Sequence, residues 1–215
     1  MNINKKDYIK RLFSDFKNLK YFYAGEGISY EDFDEWHHER LIAKEEYHDK
    51  FRLENLNKLT KEDFKSFLYF KNNKSWTCLY RQGLKLLKHF DKVKNAIAHL
   101  QNEEIPIVYR INDVLVGKLH IKGFGKNIAT AILHVTDKED IYGVWNNRTE
   151  DALRKLGIIK MKWSITPGIK YCEINLKLNY LKQLLNTDLI VTDMFIWYIS
   201  AEPKSYSEDI WGNIL

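Results

Sequence analysis

Apolar side chains recur every three or four positions along most of this chain, and that spacing predicts amphipathic helices. The residues that carry the pattern are Tyr8, Leu12, Phe16 and Leu19; Phe64, Phe67 and Leu68; Trp76, Leu79, Tyr80, Leu84 and Leu87; Val93, Ile97 and Leu100; Ile111, Val114, Leu115 and Leu119; Ile128, Ala131, Ile132 and Val135; and Tyr171, Ile174, Leu178, Leu181, Leu184 and Leu185. Gly25-Glu26-Gly27 ends the first helix, a second is predicted to begin near Ser29, and a strongly apolar one is predicted over residues 187–199. The pattern indicates an all-α fold.

Short motifs mark where some of these helices begin and end. Thr60-x-x-Asp63 is typical of a capped helix start. Gly157 directly follows the helical segment 150–156, a common place for the glycine that ends a helix. Residues 106–109, Pro-Ile-Val-Tyr, are predicted to be extended, but no segment is typical of a committed sheet. Since no linker rich in proline, serine or glycine divides the 215 residues, we expect one domain.

The loop at residues 121–127, Ile-Lys-Gly-Phe-Gly-Lys-Asn, separates two of the predicted helices. Gly123 and Gly125 are both expected to adopt backbone conformations that a side chain would penalise, and so to turn the chain into a hairpin. The amides of both glycines and of Lys126 would then point outward from the start of the second helix. Unpaired amides at a helix N-terminus form a phosphate site, here flanked by Lys122 and Lys126. A tight turn between two packed helices, with no role in binding phosphate, would have the same sequence.

The segment after this loop makes the chain resemble a known family. Residues 143–149, Gly-Val-Trp-Asn-Asn-Arg-Thr, lead into the helix that ends at Gly157. A hairpin followed by such a loop and helix resembles the core of the helix-hairpin-helix DNA glycosylases, the endonuclease-III-like superfamily, over residues 59–157. The family's hairpin grips the DNA backbone without reading its sequence. The residues that the resemblance implies for contact with double-stranded DNA are Lys122, Gly123, Phe124, Gly125, Lys126 and Asn127.

The resemblance also implies a domain organisation. We expect a single-domain helix-hairpin-helix DNA-glycosylase-like helical fold over residues 1–215. Residues 1–58 would form N-terminal helices that include an acidic segment at 26–49. Residues 59–157 would form the hairpin core, and residues 158–215 would form C-terminal helices packed on that core.

The two catalytic positions of the family carry asparagine in this chain. The essential aspartate, counted back from Gly157, falls on Asn146, and the lysine nucleophile of bifunctional members falls on Asn127. An amide neither stabilises an oxocarbenium-like species by charge nor acts as a base near neutral pH, and it has no nucleophilic amine. The resemblance therefore implies a DNA-binding protein on a glycosylase-like scaffold that does not excise bases.

Two alternatives to a non-catalytic DNA-binding protein stay open. In the first, the protein is an active glycosylase that uses a non-standard carboxylate: Glu150, Asp151 or Asp140. Glu150 and Asp151 equally suit the positive end of their own helix. In the second, it is a protein-interaction module that uses the acidic segment at residues 26–49.

A base pocket is the second site that the resemblance implies. In the family, a pocket between two helical layers receives a flipped base between aromatic rings. Trp145 lies beside the lost catalytic position and could line such a pocket or belong to the core. Asn146, Asn147 and Arg148 could bond a base edge or a phosphate. This interpretation predicts a protein that recognises a modified or flipped base without excising it.

The charge distribution favours a polyanionic partner. The chain carries a net charge of +5, and the acidic segment at residues 26–49 holds nine acidic residues against Arg40 and Lys44, or −7. The rest of the chain therefore carries +12, since +5 minus −7 is +12. The acidic segment would avoid phosphates or contact a protein partner.

Few residues suggest a metal, a cofactor or a membrane. Cys78 and Cys172 are the two cysteines, too few for the iron–sulfur cluster of some glycosylases. His37, His38 and His48 match no metal-ligand template. No apolar run approaches the length of a membrane span. We expect no cofactor, no metal, no membrane partner and a cytoplasmic, nucleoid-associated protein.

Overall fold

Eleven α-helices and one short β-hairpin make up residues 4–159 and 166–201, the part of the chain that this computed structural model describes. The helices are α1 (Lys5–Lys17), α2 (Phe33–Phe51), α3 (Lys61–Phe67), α4 (Phe70–Asn73), α5 (Tyr80–Gly83), α6 (Phe90–Gln101), α7 (Ile107–Leu115), α8 (Lys126–Thr136), α9 (Asn147–Lys155), α10 (Pro167–Leu185) and α11 (Leu189–Ala201), and the strands are β1 (Phe22–Gly25) and β2 (Ile28–Tyr30). Leu53–Asn55 and Leu84–His89 form 3₁₀ turns. The predicted all-α fold is confirmed.

The β-hairpin corrects one prediction of the sequence pattern. Ser29 does not start a helix but lies in β2, where it pairs with Tyr23, and α2 begins four residues later behind the capping carboxylate of Asp32. The chain reverses because Gly25, Glu26 and Gly27 all have positive φ angles, of 110°, 52° and 79°. Glycine is favoured at such angles because it has no Cβ. The strands are too short for periodicity to reveal them.

The start of α7 corrects a second prediction. Residues 106–109 are not extended: Pro106 is the residue before the first turn, and the helix begins at Ile107. A proline with its fixed φ fits the start of a helix, where its missing N–H has no partner to lose. The helix ends at Leu115, so Leu119 lies in the loop that follows.

Helix ends at two other places confirm the local motifs. Thr60 and Asp63 form the capping box of α3, with each side chain bonded to the other residue's backbone amide. Gly157 follows α9 with a φ angle of 60°. The helix itself begins at Asn147, three residues before the predicted start at Glu150, because Asn146 serves as its cap.

Helix α8 lies at the centre of the structure, and residues 128–135 are all buried. Helices α2, α6 and α7 pack against it. The C-terminal helices cover this core, since α10 packs on α7 and α11 packs on both α9 and α2. Helix α1 contacts α10 and α11, so the two ends of the described chain meet in one domain.

Among the described residues, no helix combines the length and the apolar character that a membrane crossing requires. Helix α11 is strongly apolar, but it has 13 residues and carries Asp193 in its middle. Its burial is explained by contact with α9 and α2.

Candidate functional site

The turn between α7 and α8 requires glycine at one position and not at the other. Gly123 has a φ angle of 102°, and a Cβ there would lie 3.1 Å from the carbonyl oxygen of Gln82. Gly125 has a φ angle of −88°, and a Cβ there would meet nothing within 4 Å. The prediction that both glycines hold side-chain-intolerant conformations is therefore wrong for Gly125.

The N-terminus of α8 is open. Gly125 is its N-cap and has no side chain to bond the first amides. The amides of Ile128 and Ala129 donate to the Gly125 carbonyl, whereas those of Lys126 and Asn127 have no protein acceptor in the described part of the chain. Uncapped amides and the helix dipole together attract an anion. Lys122, four residues before Lys126 in the loop, is exposed.

Lys126 does not extend from this terminus into solvent as the sequence suggested. Its ammonium donates to Glu150 Oε1 at 2.6 Å and lies 5.0 Å from the centre of the Trp145 ring. Glu150 Oε1 also accepts from the indole of Trp145 at 2.6 Å, and Glu150 Oε2 accepts from Lys170 at 3.1 Å. The charge of Lys126 is thus balanced within the protein.

The environment of Glu150 fixes its ionised form. Partial burial raises the pKa of this carboxyl, but hydrogen bonds from Lys126, Trp145 and Lys170 outweigh burial and hold the pKa below its ordinary value. The carboxylate of Glu150 thus holds together a cluster of four side chains, its own and those of Lys126, Trp145 and Lys170. Trp145 belongs to this cluster and to the core: it is 4% exposed, and its ring lies 6.4 Å from that of Tyr171.

A pocket of about 180 Å³ opens beside the start of α8, and we refer to it as the tryptophan pocket. It is lined by Ala24, Trp36, Phe70, Ser75, Trp76, Thr77, Leu79, Asn127, Asn146, Asn147, Arg148, Asp193, Ile196 and Trp197. The structure therefore brings together Asn127 and Asn146, the two residues at the positions that the resemblance assigns to catalysis. Trp145, the predicted aromatic wall, does not line the pocket.

The position of Asn146 follows from local bonds. Thr130, one turn after Asn127 on α8, accepts from the amide of Trp145 at 2.9 Å and so holds the approach to α9 against α8. Asn146 then caps α9, since its Oδ1 accepts from the amide of Thr149 at 2.9 Å. An amide oxygen does this as well as a carboxylate. The cap needs no charge, so asparagine can occupy this position without loss of the fold.

Asn147 and Arg148, the other two residues predicted to flank a base, are both exposed and both line the tryptophan pocket. The guanidinium of Arg148 lies 5.7 Å from the centre of the Trp197 ring. No carboxylate of the described residues is within ion-pair distance of it. Its charge is therefore available to a ligand.

Sequence reasoning missed the aromatic walls of the pocket. Trp36 lies on α2, Trp76 follows α4, and Trp197 lies on α11, so the three come from distant parts of the chain. The rings of Trp36 and Trp197 meet edge to face, with centroids 5.2 Å apart. A high tryptophan count was the one signal in the sequence, and it does not say which tryptophans converge.

A buried ion pair beside the tryptophan pocket was also missed. Arg40 Nη2 donates to Asp193 Oδ2 at 2.5 Å, and its Nε donates to Ser75 Oγ at 2.8 Å. The guanidinium lies 5.8 Å from the centroid of the Trp36 ring and 6.0 Å from that of the Trp76 ring. Asp193 is the single acidic residue among the described residues that line the pocket.

The three carboxylates predicted as substitutes for the family's catalytic aspartate lie outside the pocket. Glu150 is held in the cluster with Lys126. Asp151 pairs with Lys155 at 3.1 Å. Asp140 accepts from the amide of Leu189 and pairs with Lys182 near the start of α11. None of the three belongs to the described lining of the tryptophan pocket.

The acidic segment, residues 26–49, spans the turn of the β-hairpin and most of α2. Several of its acids are engaged within the protein: Glu39 pairs with Lys74 at 2.8 Å, and Glu26 accepts from the amide of Cys78 at 3.1 Å. His37 lies 3.6 Å from Asp188. Within the described ranges, no three His, Cys, Asp or Glu side chains gather in a geometry that could hold a metal.

Comparison of the chain with protein-family models, with curated proteins and with solved structures found no match.

Proposed function

We propose that this protein binds duplex DNA through the loop and helix start at residues 122–127 and holds an extruded base in the tryptophan pocket without excising it. The observation that supports this most directly is the place of Asn127. Its backbone amide belongs to the open N-terminus of α8, and the same residue lines the tryptophan pocket. A strand gripped by its phosphate at this helix end has a base within reach of the pocket.

The anchor rests on two features of the chain. The unpaired amides at the start of α8 suit a phosphate oxygen. Lys122 adds an exposed positive charge that no described acidic residue pairs with. Such contacts do not depend on base sequence, so affinity is expected to fall steeply as salt concentration rises.

The size and lining of the tryptophan pocket suit a base. Its volume is about 180 Å³. A cavity of about 150 Å³ in a protein core accepts benzene, so a pocket of this size admits one aromatic ring system. Aromatic side chains are typical of pockets that receive a base, and the side-chain amides of Asn127 and Asn146 are groups that could bond its edge.

The absence of excision follows from the charges around the base. Asn127 and Asn146 are neutral, and the Oδ1 of Asn146 is engaged as a helix cap. Asp193 faces Arg40 at 2.5 Å, so its negative charge is balanced by a guanidinium. A developing oxocarbenium species would find little net negative charge in this site.

The proposal is tested by fluorescence anisotropy with duplexes that carry abasic, methylated, oxidised and mismatched sites. Lys122→Glu should weaken binding to every duplex alike, because it acts on phosphates. Asn127→Ala keeps the backbone amide and should instead remove the preference among duplexes. Lys10→Glu is the charge-matched control, because Lys10 is exposed on α1, which packs against α10 and α11. No binding at low salt, or equal binding by wild type and Lys122→Glu, would overturn the proposal.

A second candidate function, base excision, has Asp193 in its favour, since this carboxylate lines the pocket. In that case the wild-type protein would release free base from one of the damaged duplexes. Asp193→Asn would abolish release, whereas Glu150→Gln and Asp140→Asn would not. Circular dichroism would confirm that each variant is folded.

A further inference from the structure

A second, more open groove adjoins the tryptophan pocket, and we refer to it as the side groove. Its volume is about 370 Å³. It is lined by Tyr23, Ala24, Gly25, Asn147, Arg148, Asp151, Trp197, Ser200 and Ala201. Four of these residues, Ala24, Asn147, Arg148 and Trp197, also line the tryptophan pocket. The side groove and the tryptophan pocket therefore adjoin each other.

Tyr23 is one of the residues that line this groove, and its side chain is exposed. It is 57% exposed, while its neighbours Phe22 and Ala24 on the other face of β1 are 1% and 2% exposed. The alternation arises because successive side chains of a strand point to opposite faces. A tyrosine ring combines a large flat contact area with few rotatable bonds, so little conformational entropy is lost when a ligand covers it.

The hairpin that carries Tyr23 is braced against the rest of the protein. The amide of Gly27 donates to the Tyr23 hydroxyl at 3.4 Å across the turn. Glu26 accepts from the amide of Cys78 at 3.1 Å, which ties the turn to the loop that bears Trp76. The positions of Tyr23 and of the pocket wall are thus coupled by direct bonds.

Charge in the side groove suits one phosphate. Arg148 is exposed, has no described carboxylate within ion-pair distance, and lies 5.7 Å from the Trp197 ring. A guanidinium that stacks on a ring keeps its N–H edge free for a phosphate. Asp151, the one acid among the described residues that line the groove, is balanced by Lys155 at 3.1 Å and Arg154 at 3.5 Å. The repulsion between Asp151 and a phosphate bound in the groove is therefore reduced.

We propose that the side groove binds the base next to the one in the tryptophan pocket, stacked on Tyr23, with the phosphate between the two nucleotides on Arg148. The inference rests on the proposed function and narrows its ligand to DNA in which two successive nucleotides are unpaired. Successive stacking of bases on aromatic side chains beside a cationic backbone contact is how single strands are commonly held. A single flipped base in an otherwise paired duplex would leave Tyr23 unused.

The experiment compares three DNA probes: a fully paired duplex, the same duplex with one mismatch, and the same duplex with a two-nucleotide bubble. All three carry 2-aminopurine one position beyond the mismatch site, where it is paired in the first two probes and is the second unpaired nucleotide of the bubble, because its fluorescence falls when it stacks on a ring. Tyr23→Ala should weaken binding to the bubble by between about fivefold and a hundredfold and abolish the fluorescence change. Tyr23→Phe keeps the ring and loses only the 3.4 Å bond from the Gly27 amide, so its affinity for the bubble should stay close to that of wild type.

Two further variants complete the design. Tyr109→Ala is the matched control, since Tyr109 is a 61% exposed tyrosine near the start of α7, at the opposite end of that helix from the hairpin loop. Arg148→Gln should weaken binding to the bubble and lower its salt dependence by about one unit of log–log slope. If Tyr23→Ala lowers affinity for the bubble and the paired duplex equally, or leaves both unchanged, the side-groove inference is overturned.

The two proposals fail in different ways. If wild type binds none of the three probes at low salt, both proposals are overturned. If wild type binds them and Lys122→Glu weakens binding while Tyr23→Ala does not, the DNA anchor stands and the side-groove inference alone is overturned.

Discussion

The guanidinium of Arg40 lies 2.5 Å from the carboxylate of Asp193, and this pair joins α2 to α11 at the wall of the tryptophan pocket. The Arg40 side chain is 1% exposed and that of Asp193 is 11% exposed, so both charges are largely removed from water. Taking one partner away leaves the other buried and uncompensated. Substitution of either residue alone is therefore expected to destabilise the protein at the wall of the pocket.

Arg40→Ala is expected to destabilise the protein by roughly 3–5 kcal/mol, because it leaves Asp193 without its counter-charge. Urea denaturation followed by circular dichroism measures the loss. The double variant Arg40→Met with Asp193→Leu should recover most of it, since no uncompensated charge remains. Arg154→Ala, which breaks an exposed pair with Asp151, is the control and should cost no more than about 1 kcal/mol. A similar small cost for Arg40→Ala would contradict the prediction.

The burial of His134 is expected to make the folded protein less stable in acid. The ring is completely buried, its Nδ1 lies 2.9 Å from the Tyr142 carbonyl, and burial, reinforced by the charge of Lys44, lowers its pKa to about 3. The unfolded chain binds this proton near pH 6.5. Because the unfolded state then holds more protons than the folded state, stability declines as pH falls from about 6.5 to about 3.

His134→Asn is the variant that checks this assignment. Asparagine can still donate to the Tyr142 carbonyl but does not titrate, so the denaturation midpoint should depend less on pH between about 4 and 6. The variant is expected to be less stable than wild type at pH 7, since it is smaller than the buried ring. An unchanged slope of stability against pH would show that other groups govern acid unfolding.

The two glycines of the hairpin loop should respond differently to alanine. Gly123→Ala is expected to cost about 1–3 kcal/mol, because its φ angle of 102° is unfavourable for a side chain and its Cβ would lie 3.1 Å from the Gln82 carbonyl oxygen. Gly125→Ala should be close to neutral, since its φ angle is −88° and the space around it is open. Thermal denaturation of the two variants makes the comparison, and equal losses would contradict it.

Glu150→Gln should increase affinity for DNA. The carboxylate bonds Lys126 at 2.6 Å and Lys170 at 3.1 Å, and its removal leaves two positive charges beside the start of α8 without their anion. Affinity should rise at low salt and the dependence on salt should steepen. Asp151→Asn is the matched control, since Asp151 pairs with Arg154 and Lys155 instead. Weaker binding by Glu150→Gln, in a folded protein, would show that the ordered lysines contact DNA.

Asn146→Asp should keep the fold and the binding of DNA. Aspartate caps a helix as well as asparagine does, so the bond to the amide of Thr149 persists. The variant adds a carboxylate to a residue that lines the tryptophan pocket, and with Asn127→Lys it supplies the two groups that the sequence resemblance would assign to base excision. Release of free base is measured by chromatography after incubation with damaged duplexes. Wild type should release none, and release by wild type would contradict the non-catalytic proposal.

What the sequence by itself determined is local. Helical periodicity, the capping box at Thr60 and Asp63, and the end of α9 at Gly157 each depend on residues within one or two turns. The same is true of the open start of α8. Asn127 and Asn146 were singled out by a resemblance, and the structure brings both to one pocket.

Only the tertiary structure decided what surrounds those two asparagines. Trp36, Trp76 and Trp197 converge from α2, the loop after α4 and α11, and Arg40 meets Asp193 across 153 positions of chain. Nothing in the local pattern distinguishes these tryptophans from Trp145, which belongs to the core. Which of these distant side chains meet depends on how the helices pack. Whether a side chain is buried, and which charge it pairs with, is decided by contacts between helices and not by the sequence within one helix.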